Sequence, residues 1–571
     1  MRANHNGPGG LILGRSFGVG GPRWARLVHG AVLIVLVVVT TFEAPLYLPA
    51  PDAFHEGEYA MYGVAGSRIQ PAQPPVLTHG GIDLLPARAA SRFCRHDFQI
   101  VCVRFTNAVV TGISEAGFLA VLTMISGLGS RRAIIAGLPA MATLIAYNGC
   151  ARSAFALQTG TPNLRELFIL AILGCMFALY RVDHRIGPRA RLAMVWATGF
   201  LSGLGLFWIY NRGLFGVALT AGVAGALSLL WRDWRPLPLA AMGGLMGLGL
   251  AGAVGLYGDI PTNFDNMLYW QRDMFVYSMP FDIFAAAGPA MPVYVVVVAW
   301  AVVVAIGDIR AGRAGSALPI LTLIAVAIFY GYQVHERPFA GYAAHVLWGL
   351  SLLFALLCVR TTDPSPSARR LAALTVISGA VAIGCTMLNF RYMPPSIAQL
   401  ARQLALNARA MFVETPRDRD LVAEGLLRAA DIVRSRSPAC SYTFSNEGLF
   451  YVLSNTPPCS RFAYPFYVGP DRQAEAISDL EKSDLRVVLW ASSTWSDAIF
   501  DRGLASRTPE LAAWASARFP YRLLLPGGYE LRSRDPFDPA TDKVIDYVGG
   551  RADLEARLIR AIGDQIGRAH V

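Results

Sequence analysis

Three carboxylates and an imidazole fall within seven residues of one short stretch, PDAFHEGEYAMYG: Asp52, His55, Glu56 and Glu58. The segment just before it, LVHGAVLIVLVVVTTFEAPLYLPA, is apolar and long enough to cross a hydrocarbon layer of roughly 30 Å. The acids therefore belong at the depth where lipid headgroups meet water. Ionisable groups near lipid are costly and are retained mainly where they work. Two carboxylates beside a low-dielectric surface raise each other's proton affinity, which makes one of them usable as a general base near neutral pH. Read as an extended segment, Glu56 and Glu58 project to one side, and Gly57 between them leaves backbone room for a substrate. A carboxylate so placed could deprotonate a hydroxyl that attacks a lipid-linked substrate. The plain alternative is a set of solvated loop charges.

A phosphate leaving group also needs cations. His335 and Arg337, in YQVHERPFAGYAAH, stand at the end of an apolar run, and a planar guanidinium suits phosphate. Against that, Glu336 and Arg337 could simply anchor a helix end. His79 and Asp83 are candidates for an acceptor path, and Asp265 and Asp273 for an acceptor sugar, each with a solvated-loop alternative. Glu115 lies inside an apolar run, where a carboxyl must be protonated, paired or facing a cavity. Asn446, Glu447, Trp490 and Trp495 could hold a sugar, although tryptophans serve cores equally well. No C-x-x-C spacing signals a structural metal. A divalent ion, magnesium or manganese, is compatible with carboxylates facing a phosphate but is not demanded by them.

These groups must be positioned by a membrane framework. The 571 residues are 54% hydrophobic and only 16% charged, with a mean hydropathy of +0.41. A soluble chain carries about 25% charged residues. Apolar windows predict eleven spans, at 27–48, 108–127, 132–147, 164–180, 191–210, 213–231, 236–257, 291–307, 316–334, 339–358 and 369–389. The first reads as an uncleaved anchor, because LYLPAPDA is a poor cleavage site. With residues 1–26 in the cytoplasm, the cytoplasmic segments hold seventeen arginines against four acids, Asp183, Asp233, Asp308 and Asp363. The short connections on the other side hold five: Arg152, Arg165, Arg212, Arg272 and Arg337. That is a positive-inside bias. It accounts for the net charge of +11 without nucleic acid as a partner.

An odd number of spans sends residues 390–571 outward, together with loops 49–107 and 258–290. Chemistry is therefore expected outside. In the first loop, GGIDLLPARAASRFC reads as an interfacial amphipathic helix with Arg88, Arg92 and Arg95 toward headgroups. The C-terminal region reads as a small α/β domain, with helices in SIAQLARQLALNARAMFVE, DLVAEGLLRAADIVRSR, Ala474–Lys482 and Pro509–Phe519. Its strands are expected in SYTFS, RFAYP, LRVVLWAS and YRLLLPGGYELRSR. Cys440 and Cys459 could pair in an oxidising compartment, as could Cys94 and Cys102.

In this order of parts the chain resembles the GT-C superfamily of integral membrane glycosyltransferases. The resemblance rests on FHEGEY soon after span one, on PPVLTHGGIDLLPARAASRF, and on IVCVRFTNAVVTG leading into span two. FSNEGLFYVLSNTPPCSRFAYP and LWASSTWSDAIFDRG resemble the outer domain of bacterial members. It implies a multi-pass protein of a bacterial inner membrane, with its C-terminal domain in the periplasm. It also implies transfer of a hexosyl or pentosyl group, with inversion, from a polyprenyl-phosphate sugar to a hydroxyl of a glycan, lipid or protein acceptor. By position Glu56 and Glu58 match the family's acidic motif, with Glu56 or Glu58 as base and His55 beside them. HEGE departs from the Asp-x-Asp form that is common in the family. A flippase for a lipid-linked saccharide and a non-catalytic subunit of polysaccharide assembly are the competing readings.

Overall fold

The computed structural model describes residues 22–42, 55–64, 74–77, 80–93, 99–126, 165–183, 185–256, 259–273, 290–336, 340–360, 397–412, 415, 417–491 and 504–537. Long apolar helices dominate: Arg23–Phe42, Gln99–Ser126, Leu167–Val182, Pro188–Leu204, Tyr210–Trp231, Pro236–Val254, Ala290–Arg310, Ala314–Glu336 and Ala340–Arg360. Nine of the eleven expected spans fall on these helices, and 132–147 and 369–389 lie outside the described residues. Among the described residues, four stretches suffice by length and composition to cross a membrane: Ile100–Ser126, Tyr210–Trp231, Pro236–Val254 and Ala314–Tyr332.

Packing separates two apolar cores. One is formed wholly by the long helices, with Phe118, Leu173, Phe177, Leu323, Tyr330 and Leu353 at its centre. The helix Pro236–Val254 shows how a lipid-facing element is made. Ala240, Gly243, Gly247 and Ala251 are buried, while Leu237, Leu245, Met246 and Leu250 on the other side are exposed. The small face lets two helix backbones meet, and a methyl on Gly203 would lie 1.9 Å from the carbonyl oxygen of Gly244. Such approach is available only to residues without bulk and is a common way for membrane helices to associate.

The second core joins parts far apart in sequence. Tyr59–Tyr62, Leu77, Ile82 and Leu84 of the first loop pack with Phe207–Tyr210 and with Tyr442, Phe450, Tyr464 and Tyr467 of the C-terminal region. Within loop 258–290 a helix spans Ile260–Asp273. It starts where the side chain of Asp259 accepts the backbone N–H of Thr262 at 2.8 Å, an N-terminal cap. This helix is bolted to the C-terminal region, since the Tyr269 hydroxyl donates to the carbonyl of Tyr467 at 2.6 Å and Arg461 donates to Asn266 at 2.8 Å.

The C-terminal region carries a three-stranded antiparallel sheet in the order β1 (Val487–Ala491), β3 (Tyr529–Ser533), β2 (Tyr521–Leu525). Leu523 pairs with Leu531 across it. Helices Ile397–Phe412, Glu424–Arg436, Gln473–Lys482 and Pro509–Arg518 match the expected ones. Two expected strands do not form. SYTFS makes only isolated bridges, Ser441 to Pro458 and Thr443 to Leu489, and RFAYP runs into a single 3-10 turn, Pro465–Tyr467. SYTFS does run beside β1, with the N–H of Phe444 donating to the Leu489 carbonyl at 2.7 Å and that of Leu489 to the Tyr442 carbonyl at 3.2 Å, but the pairing does not extend into a ladder. A disulfide joins Cys440 to Cys459, and Cys102 is also disulfide-bonded; Cys94 lies outside the described residues. Cys175 and Cys358 are free thiols in apolar helices.

Candidate active site

The acidic stretch forms a helical turn, His55–Glu58, continued by a π-helical turn, Tyr59–Val64. This corrects the extended reading. At about 100° per residue, Glu56 and Glu58 diverge instead of sharing a side. Glu56 faces the helix Gln99–Ser126, where Arg104 grips it with both arms, Nε to Oε1 at 2.9 Å and Nη2 to Oε2 at 3.1 Å. Each side chain of the pair is 1% exposed. Both carboxylate oxygens of Glu56 are thus held by a guanidinium, a poor state from which to take a substrate proton.

Glu58 is equally buried but belongs to another group. The hydroxyl of Tyr59 donates to Oδ2 of Asp83 at 2.7 Å. Burial, followed by the nearby charge of Asp83 and its hydrogen bond, pushes the Tyr59 phenol well above its usual range, with Glu58 adding in the same sense. Tyr210, at the start of its helix, lies within electrostatic reach of both Asp83 and Glu58. Two acids and two phenols therefore converge at the junction of the first loop and the helix ends. Asp83 is placed there by the glycine turn before it: Gly81 has φ +83°, a conformation that favours glycine.

A second buried set adjoins the first. Glu166, at the start of Leu167–Val182, accepts Arg212 Nε at 3.4 Å and the hydroxyl of Tyr330. Arg212 also donates to Asn211 at 3.0 Å. Arg165 acts electrostatically on both Glu166 and Tyr59 and so links the two sets. These residues occupy the starts of two helices and the far part of Ala314–Glu336, all of which the expected topology assigns to one side. At the opposite helix ends Asp183 pairs with Arg191, Asp233 with Arg235, and Asp308 with Arg313 and Arg360. The acids expected in cytoplasmic loops are thus neutralised locally wherever they are described.

Other expectations fared unequally. Asp52, His79 and Arg337 lie outside the described residues, as do the side chains of His55 and His335. Asp265 is exposed on the Ile260–Asp273 helix, its charge acting on Arg472, and is not part of the buried cluster described above. Asp273 ends that helix. Glu115 is buried in the second span. Arg88 does not reach for headgroups: it turns inward to the carbonyls of Gly255 at 2.8 Å and Tyr62 at 3.4 Å, while Arg92 and Phe93 are exposed. Gly57 does not open a path for substrate, because a methyl there would meet the backbone nitrogen of Leu449 at 2.7 Å. Among the described residues no three His, Cys, Asp or Glu side chains gather as a metal-ligand set. Arg104, Arg165, Glu166 and Arg212 join the site without belonging to any catalytic motif of the sequence. Their one sequence signal is a charge set inside or directly against an apolar run.

The fold and site define a multi-pass helical membrane protein whose first loop and C-terminal region close over a buried acidic centre. No family model matches the chain, and no curated protein does. Among solved structures it is similar to the oligosaccharyltransferase of Archaeoglobus fulgidus tethered to an acceptor peptide, at 12% identity over 89% of this chain and 74% of that one, with a TM-score of 0.48. It is also similar to ArnT of Cupriavidus metallidurans bound to undecaprenyl phosphate, at 14% identity over 89% and 98%, TM-score 0.43. Another is the same archaeon's oligosaccharyltransferase AglB with an inhibitory peptide and a dolichol-phosphate, at 11% over 90% and 75%, TM-score 0.41.

Proposed function

We propose that this chain is a GT-C-type glycosyltransferase that moves a sugar from a polyprenyl-phosphate donor to a hydroxyl acceptor, with Glu58 as general base. One observation carries the reading: two acids of a single turn are buried where helix ends, first loop and C-terminal region meet, one locked by Arg104 and the other set among Tyr59, Asp83 and Tyr210. An isolated charge is not buried without a return, and a carboxylate in such a place is well suited to proton transfer. In the reaction Glu58 takes the proton of the acceptor hydroxyl as its oxygen attacks the anomeric carbon. The bond from that carbon to the phosphate oxygen breaks, and the polyprenyl phosphate leaves with its electrons, inverting the centre.

Developing charge on the leaving phosphate calls for fixed cations. Arg337 and His335, a few residues after Tyr330 in sequence, are proposed to supply them. Asp83 would orient the acceptor through Tyr59. The arginine bias of the loops supports a site on the periplasmic side of a bacterial inner membrane, with residues 1–26 cytoplasmic, 27–389 as the membrane domain and 390–571 outside.

The test is transfer by the purified full chain in lipid nanodiscs, using undecaprenyl-phosphate sugars of several kinds and a panel of glycan acceptors. Glu58→Gln is expected to lower kcat by about a hundredfold or more, in the range that loss of a general base produces. Wild-type turnover in Glu58→Gln would refute the assignment of the base. Movement of a lipid-linked sugar across proteoliposomes without any transfer would favour the flippase reading instead.

A further inference from the structure

The acidic turn and the C-terminal region touch backbone to backbone. A methyl on Gly57 would lie 2.7 Å from the nitrogen of Leu449 and 2.8 Å from Cα of Gly448. Reciprocally, a methyl on Gly448 would lie 2.6 Å from the carbonyl carbon of Gly57, 2.9 Å from the nitrogen of Glu58 and 2.2 Å from the hydroxyl of Tyr464. Contacts this short exist only because both residues are glycine. The position therefore sets where the peptides on either side of Glu58 sit.

Gly448 is itself held firmly. It opens the short helix Gly448–Ser454, which follows Asn446 at φ +57°, whose side-chain oxygen accepts the N–H of Phe466 at 3.0 Å. The helix lies inside the loop closed by Cys440–Cys459. Across that loop Cys459 donates its N–H to the carbonyl of Ser441 at 2.9 Å, and Thr456 donates to Ser441 at 2.7 Å. Tyr451, Tyr464 and Tyr467 form a continuous aromatic wall behind it, with ring centroids 6.4 and 4.9 Å apart. All three are fully buried, as are Tyr59 and Tyr62 on the other side of the contact.

We infer that the disulfide-closed loop 440–459 is a positioning element for the acidic turn, with Gly448 as the positioning residue that sets the backbone of Glu58. The inference builds on the reading of Glu58 as the base, and the C-terminal region becomes part of the reaction centre instead of an appended binding module. A rigid second layer of this kind matters because a misplacement of about 1 Å at a reacting group can cost a hundredfold in rate.

Hydrogen–deuterium exchange on the full chain reads the contact independently of any transfer. Gly448→Ala is expected to speed exchange of amides 55–64 at least tenfold, with the Tyr210–Trp231 helix unchanged. Cys440→Ser/Cys459→Ser, which loosens the loop without a clash, should give the same pattern more weakly and covers the case in which Gly448→Ala fails to fold. In the transfer assay both variants should lower kcat with donor KM unchanged, whereas Gly249→Ala, in a long helix away from this contact and with open space at its Cβ, should alter neither. Unchanged protection of 55–64 in a folded Gly448→Ala protein would overturn the inference. Failure of wild-type transfer, by contrast, would count against the enzyme reading and leave the exchange result to decide this one.

Discussion

Arg104 holds both oxygens of Glu56 across a space sealed from water, joining the second long helix to the acidic turn. The pair fixes the end of the turn opposite to Glu58. Its partners belong to segments 48 residues apart.

Breaking this pair on one side should cost far more than removing it. Arg104→Gln alone leaves a buried carboxylate without its counter-charge and is expected to destabilise the fold by about 3–5 kcal/mol. The double variant Arg104→Met/Glu56→Gln should recover much of that loss. Thermal unfolding of the wild type, Arg104→Met, Glu56→Gln and the double variant in nanodiscs gives the double-mutant cycle, and strictly additive losses would contradict a coupled pair.

Tyr269→Phe tests the bolt between the Ile260–Asp273 helix and the C-terminal region. It removes the hydroxyl that donates to Tyr467 and strands a buried carbonyl, a loss of about 1–3 kcal/mol. Limited proteolysis should then release fragments cut near residue 469 faster than in the wild type, while the long helices remain protected.

The C-terminal sheet should weaken in acid. Burial pushes the carboxyl of Glu530 up, but hydrogen bonds from Arg522 and Arg532, and then their charges, outweigh it and bring the group below its ordinary value of 4.5. The unfolded glutamate thus binds its proton at a higher pH than the folded one. Its contribution is complete above about 4.5 and fades as pH falls through the depressed folded value. Glu530→Gln should flatten this part of the stability profile, measured by the midpoint of unfolding between pH 6 and 3. An unchanged slope would show that other groups set it.

Gly203→Leu should disrupt the helix pair Pro188–Leu204 and Pro236–Val254. A single added methyl already meets the Gly244 carbonyl at 1.9 Å, and overpacking of a tight contact costs about 1–3 kcal/mol or more. The comparison is Gly249→Leu, on the same helix pair but with open space at its Cβ. It should leave the yield of folded protein near wild type.

Spans were legible because lipid imposes one requirement, apolarity over some twenty residues, that local sequence satisfies on its own. The acids of the first loop were legible for the converse reason, as charges where charge is costly. Their partners were not. Arg104 sits in FQIVCVRFTNAVV, which reads as a lead-in to a span starting at 108, whereas the helix begins at Gln99. Arg104 is therefore already within its early turns. The geometry of HEGE was missed because four residues carry no period, and tertiary contact decided for a helical turn. SYTFS has strand composition but meets β1 only at the Thr443–Leu489 bridge, and Gly57 announces freedom where the folded chain uses it for close contact. The deciding neighbour lies outside the local sequence, 48 residues away for Glu56 and in the C-terminal region for Gly57.

The N–H of Ile100, in the first turn of the second long helix, donates to the side chain of Asp418 at 2.8 Å, across 318 residues of sequence. During synthesis that helix must enter the bilayer long before residue 418 exists. Its leading end and the acidic turn beside it stay unfinished until the last third of the chain arrives. Completion of the candidate site is therefore expected to follow insertion. A nascent protein halted before that point would hold its second long helix without the Ile100–Asp418 contact.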